Sequence, residues 1–119
     1  MDSEHTGQKT VLIVEDAERI RMLVRAILAD TGWTLLEVSS AEEALANERP
    51  VDLLITDLNL PGMNGLDLAH EMRGRRPELE VLCMSGALLP SASHNGVHFI
   101  QKPFHPQALL DKARQLMNP

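Results

Sequence analysis

The sequence predicts an α/β fold in which a parallel sheet is covered by helices on both faces, and three observations predict it. Short apolar runs alternate along the chain with segments whose apolar residues recur at helical spacing. The runs are continuous, as in strands buried on both faces, and not polar at every second position. Aromatic residues make up only 3% of the chain, with no Tyr and the lone Trp33, so the core must come from Leu, Val, Ile, Ala and Met. A length of 119 residues, 44% of them apolar, supplies one full hydrophobic core and not two, which implies a single domain.

Residues 1–9 hold few large apolar side chains and read as a flexible lead-in, with the domain proper at residues 10–119. The run Val11-Leu12-Ile13-Val14 is the first strand. Ile20, Leu23, Val24, Ile27 and Leu28 follow at helical spacing, and Asp30-Thr31-Gly32 supplies the stop, so they form the first helix. Residues 33–38 are rich in strand formers, and Ser40-Ala41-Glu42-Glu43 is a capping box opening a short helix that ends before Pro50. Residues 51–56 are the third strand, ended by Asp57 and a loop containing Pro61-Gly62 and Asn64-Gly65. Leu66, Leu68, Ala69 and Met72 carry a third helix to about Arg73. Residues 80–84 and 97–100 read as strands four and five, and Pro106 opens a last helix carrying Leu109, Leu110, Ala113 and Leu116. Residues 85–96 break the alternation: with Pro90, Asn95 and Gly96 among so few residues, the fourth crossover helix is expected to be short or absent.

Composition narrows the function. A formal net charge of -6, with Arg73, Arg75 and Arg76 as the only basic cluster, argues against nucleic-acid binding by this domain. The single Cys83 precludes an internal disulfide and suits a reducing compartment. No apolar run is long enough to span a bilayer and the polar start lacks a signal-peptide core, so a cytoplasmic chain without membrane contact is expected.

In open α/β sheets the functional crevice lies outside the carboxyl ends of the strands, where this sequence concentrates its reactive side chains. Glu15 and Asp16 follow strand one, Asp57 strand three, Ser85 strand four and Lys102 strand five. Three crowded carboxylates repel one another, and a divalent cation with oxygen ligands relieves that repulsion; Mg²⁺ (or Mn²⁺) is the expected ion. A carboxylate can attack phosphorus if the phosphoryl oxygens are neutralised by a metal on one side and by a cation and a hydroxyl on the other. Asp57 is the candidate acceptor because it ends the central strand, with Lys102 and Ser85 as the opposing groups.

Four blocks, Val11-Leu12-Ile13-Val14-Glu15-Asp16, Ile55-Thr56-Asp57-Leu58-Asn59-Leu60-Pro61-Gly62-Met63-Asn64-Gly65, Met84-Ser85-Gly86 and Lys102-Pro103-Phe104, resemble in order the signature blocks of response-regulator receiver domains. The resemblance covers residues 10–117. It implies a flavodoxin-like, doubly wound five-stranded sheet of order 2-1-3-4-5, like the single-domain chemotaxis regulators. It further implies that Glu15, Asp16, Asp57 and the Asn59 main-chain carbonyl bind metal and that Asp57 is phosphorylated. Ser85 and Phe99 would form the switch, Ser85 and Lys102 would contact the phosphoryl group, and Lys102-Pro103 would be a cis peptide. The donor would be a histidine kinase or histidine phosphotransfer protein and the output an unknown downstream protein. The Met-Ser-Gly block and the Lys-Pro-Phe ending most resemble receivers associated with hybrid sensor kinases.

Plainer readings stand beside these. Asp57 and the Glu15-Asp16 pair are ordinary loop carboxylates only if the order and spacing of all four blocks are accidental. Taken alone, Ser85 reads as a turn residue and Lys102 as a solvated lysine; Phe99 reads equally well as core. The five His residues show no metal-ligand spacing, and Cys83 reads as a small buried hydrophobe. Among other functions, a phosphatase of the haloacid-dehalogenase type also forms an aspartyl phosphate, but Asp57-Leu58-Asn59 lacks the second carboxylate expected there. A pseudo-receiver that binds partners without phosphorylation is the third reading.

Overall fold

The computed structural model describes residues 8–86 and 96–117. Strand β1 (Thr10–Val14), helix α1 (Glu18–Leu28), β2 (Thr34–Val38), α2 (Ala41–Ala46), β3 (Leu53–Asp57), α3 (Gly65–Arg75), β4 (Glu80–Ser85), β5 (Val97–Gln101) and α4 (Pro106–Met117) follow in order. The five strands form one parallel sheet of order β2-β1-β3-β4-β5, with β3 in the middle. A two-residue antiparallel ribbon, Asn59–Leu60 with Met63–Asn64, sits in the turn between β3 and α3. The lead-in through residue 7 and the crossover at residues 87–95, where a short or absent helix is expected, lie outside the described residues.

The continuous apolar runs are buried on both faces because alternate side chains of each strand point to opposite sides. Leu12, Val14, Leu54, Val81 and Cys83 pack with Ala44, Leu68, Ala69 and Met72 of α2 and α3. Val11, Ile13, Leu53, Ile55, Leu82 and Met84 pack with Val24, Leu28, Leu109 and Ala113 of α1 and α4. Each fully buried Leu or Ile contributes on the order of 2 kcal/mol, so the two layers hold the strand ends in fixed register.

Local chemistry sets the boundaries. The Ser40 hydroxyl accepts from Glu43 N at 3.1 Å, as a capping box requires. The return bond differs from the motif: the Glu43 carboxylate accepts from the Ser39 N–H at 2.8 Å, one residue earlier. The Asn64 side chain caps α3 by accepting from Leu66 N at 2.6 Å, and His105 Nδ1 accepts from Gln107 N at 3.1 Å at the start of α4. Strand β3 spans Leu53–Asp57, starting two residues later than the sequence suggests; just ahead of it the Asp52 N–H bonds to Thr10 O at 2.9 Å and the Asp52 carboxylate accepts the Thr10 N–H at 2.8 Å.

Candidate functional site

The period of two along each strand determines which polar residues meet. Glu15 continues the row of Val11 and Ile13, and its N–H still bonds to Val38 O at 3.2 Å, as an added rung of the sheet. Asp57 continues the row of Leu53 and Ile55. Lys102 continues the row of Ile100 and donates its N–H to Ser85 O at 2.7 Å. All three therefore stand on the α1–α4 side of the sheet at its carboxyl rim. Ser85 continues the opposite row of Val81 and Cys83, and Phe99, paired with Cys83 in register, packs on that same opposite layer. The Lys102–Pro103 peptide is cis.

Lys102 Nζ lies 3.1 Å from Asp57 Oδ1 and 3.3 Å from Glu15 Oε1. Oxygens of Glu15, Asp16 and Asp57 all come within 4.8 Å of one another. Glu15 is 1% exposed, Asp57 6% and Ser85 2%, whereas Asp16 is exposed. Burial pushes the Glu15 carboxyl above its ordinary value, the bond from Ala17 N opposes this, and the Asp57 charge adds to the rise. Burial works against the Lys102 ammonium, yet the bond to Asp57 and the charges of Glu15 and Asp57 outweigh it and hold the lysine protonated to higher pH. An all-oxygen donor set with one exposed member suits a hard divalent cation that keeps water ligands. Beside it opens a hollow of about 580 Å³ lined by Asp16, Asn59, Asn64 and Asp67.

The sequence matches the family described as response regulator receiver domain over residues 11–114, which is nearly the whole chain. The chain belongs to the receiver-domain family of response regulators. It is a signalling phosphoacceptor domain of the two-component type, with the flavodoxin-like fold of its relatives. The receiver is 34% identical, over 91% of its length, to the hydrogenase transcriptional regulatory protein HoxA of Cupriavidus necator, of which it covers 24%. It spans at most about half the length of the next curated relatives it matches. Among solved structures, the receiver domain of the hybrid histidine kinase CckA has 31% identity and a TM-score of 0.80, covering 92% of this chain and 99% of that one. The response regulator TrrA of Thermotoga maritima, solved in complex with Mg²⁺ and BeF, has 26% identity and a TM-score of 0.80, covering 91% of this chain and 98% of that one.

Membership in this family sets aside the haloacid-dehalogenase-type phosphatase. Within the receiver, the fold gathers Glu15, Asp16, Asp57 and Lys102 into one cluster, while Ser85 and Phe99 belong to the opposite rows of their strands and Asn59 is exposed where it lines the hollow. Cys83 is buried, and burial with the nearby Asp57 charge pushes its thiol up to about 12. No helix among the described residues is long and apolar enough to cross a membrane. Two supporting residues went unread in the sequence. A Cβ at Gly65 would collide with the Asp57 carbonyl oxygen and sit 2.9 Å from Leu58 Cα, so glycine lets α3 start directly against the end of β3. The Thr56 hydroxyl donates to that same Asp57 carbonyl at 2.9 Å. The Asn64-Gly65 pair reads as a turn in sequence, and only the three-dimensional approach reveals what the glycine clears.

Proposed function

We propose that Asp57 of this receiver accepts a phosphoryl group from the phosphohistidine of a histidine kinase or histidine phosphotransfer protein, in a reaction that needs Mg²⁺ or Mn²⁺. The observation that carries the reading is the Lys102 ammonium 3.1 Å from Asp57 on one side, with the Glu15–Asp16–Asp57 oxygens converging within 4.8 Å. The three carboxylates and the Asn59 main-chain carbonyl would hold the cation. When bound, it supplies neutralising charge for the oxygens of the transferring group. A carboxylate oxygen of Asp57 forms the new bond to phosphorus as the bond from phosphorus to the donor imidazole breaks, and the electron pair stays with the imidazole nitrogen. Lys102 balances charge on the acceptor side, and the Ser85 hydroxyl, two rungs from Phe99 across the sheet, takes a phosphoryl oxygen.

The same groups serve the return step, in which water attacks phosphorus and Asp57 is regenerated, so the receiver catalyses both its phosphorylation and its dephosphorylation. Ser85 and Phe99 would carry the change to the α2–α3 layer and a downstream protein in the cytoplasm. A hollow of about 260 Å³ bordered by Ile20, Leu23, Lys102, Pro103 and Phe104 adjoins the acceptor's lysine, and Met22 and Leu23 are exposed on α1. This surface suits an apolar helix of the donor.

Intact-mass analysis after incubation with acetyl phosphate tests the proposal. One phosphoryl adduct is expected with Mg²⁺, none with chelator and none in Asp57→Asn. A folded natural chain that gains no adduct from acetyl phosphate or from a histidine-phosphorylated donor would leave the pseudo-receiver reading in its place.

A further inference from the structure

Glu15 has every polar group engaged. Its N–H bonds to Val38 O at 3.2 Å, Oε2 accepts from Ala17 N at 3.1 Å, Oε1 takes Lys102 Nζ at 3.3 Å, and its carbonyl accepts from Arg21 Nη1 at 2.8 Å. The last bond decides more than Glu15 itself. The Glu15 carbonyl lies in one rigid peptide plane with the Asp16 N–H, so the donor that fixes the oxygen fixes where the Asp16 side chain sets out. Ala17, the N-cap of α1, contributes no side-chain cap, so the ties between this helix end and the loop before it are the bonds of Ala17 N and Arg21 to Glu15.

Arg21 is itself held. Its side chain is 19% exposed, and its Nε faces Glu37 Oε1 of β2 at 3.8 Å, while Glu37 Oε2 takes Arg25 at 3.1 Å. A guanidinium braced by Glu37 of β2 thus grips the acidic loop by its main chain and itself occupies none of the carboxylate oxygens of Glu15, Asp16 or Asp57. We infer that Arg21, oriented by Glu37, is a positioning residue that preorganises Glu15 and Asp16 for divalent-cation binding. The inference rests on the proposed cation site and adds to it a residue outside the acidic cluster. Without Arg21 the cation must order the loop as it binds, and the cost is lost affinity.

The test compares the natural chain with Arg21→Met, Arg21→Lys and Glu37→Gln by calorimetric titration with MgCl₂ and by the Mg²⁺ dependence of phosphorylation from acetyl phosphate. Arg21→Met is expected to bind Mg²⁺ about 10-fold more weakly, as outer-shell substitutions typically do. The Mg²⁺ concentration for half-maximal phosphorylation should rise by the same factor with an unchanged plateau. Arg21→Lys should recover most of the loss, since one ammonium donor still reaches the carbonyl, and Glu37→Gln should show a smaller loss in the same direction. Without metal, the Ala17 amide should exchange faster in Arg21→Met. Unchanged Mg²⁺ affinity in a folded Arg21→Met, or a lower plateau at unchanged affinity, would overturn the inference while leaving the cation site standing. If Arg21→Met does not fold, unchanged affinity in a folded Glu37→Gln overturns it equally. A natural chain that binds no Mg²⁺ removes the cation site and this inference together.

Discussion

The Glu15 carboxylate is almost wholly buried and faces a second carboxylate, a placement that opposes ionisation. Because its pKa in the fold is raised above 4.5, its contribution to stability is complete below that value and is lost as pH rises through the raised one. Near neutral pH the ionised group works against folding. Glu15→Gln is therefore expected to raise the metal-free melting temperature at pH 7 and to gain nothing near pH 4. Thermal unfolding at the two pH values checks the sign, and calorimetry should show weaker Mg²⁺ binding in the same variant. Lys102→Met has the opposite effect: Glu15 and Asp57 lose their ammonium, and a loss of about 1–2 kcal/mol near pH 7 is expected, less than for a fully buried pair because the lysine is partly exposed. Glu15, Asp16, Asp57, Ser85 and Lys102 were all legible in sequence because each follows an apolar run, and parallel strands bring such positions to one rim. Arg21 was not legible, since an arginine one turn ahead of Val24, on the edge of the buried face, carries no sequence mark of the carbonyl it will reach.

Among the elements, α2 depends on its first turn. Ser40→Ala should cost about 1 kcal/mol, read by chemical denaturation, because the Glu43 N–H loses its acceptor. The bonds from Ser39 hold the Glu43 carboxyl below its ordinary value, so this support is present above pH 4.5 and fades as pH falls through the lowered value. A residue-resolved titration of Glu43 checks it. The sequence marked both partners of this box but not the shift of the return bond to Ser39, which depends on the extended backbone ahead of the cap. At α3 the close approach of Gly65 to the Asp57 main chain gives a sharper test. Gly65→Ala should lose about 1–3 kcal/mol through overpacking and should slow phosphorylation by displacing the Asp57 main chain. A stable and fully reactive Gly65→Ala would contradict that packing argument. The ribbon Asn59–Leu60 with Met63–Asn64 was unreadable, because two-residue strands have no periodicity to detect.

For the whole molecule, two buried layers on one sheet make the thiol of Cys83 a reporter of global opening. With its thiol pushed up to about 12, Cys83 should resist alkylation at pH 8 in the folded receiver and react only as the sheet opens. Mg²⁺ bound to the native state alone should slow that reaction, by about 100-fold at a concentration 100 times its dissociation constant, and Asp57→Asn should blunt the effect. The strand order was legible because the motifs fixed the family and the unbroken apolar runs demanded a parallel sheet. The expectation for the crossover after β4 came from its Pro and Gly content and falls on residues outside those described.

Site-resolved mass spectrometry after phosphorylation and borohydride reduction, which converts an aspartyl phosphate to homoserine, tests most directly whether Asp57 is the acceptor. Homoserine is expected at position 57 alone, formed with Mg²⁺ and abolished by chelator. Reduction product at Glu15, Asp16 or any other carboxylate, or an adduct that leaves position 57 unreduced, would contradict it.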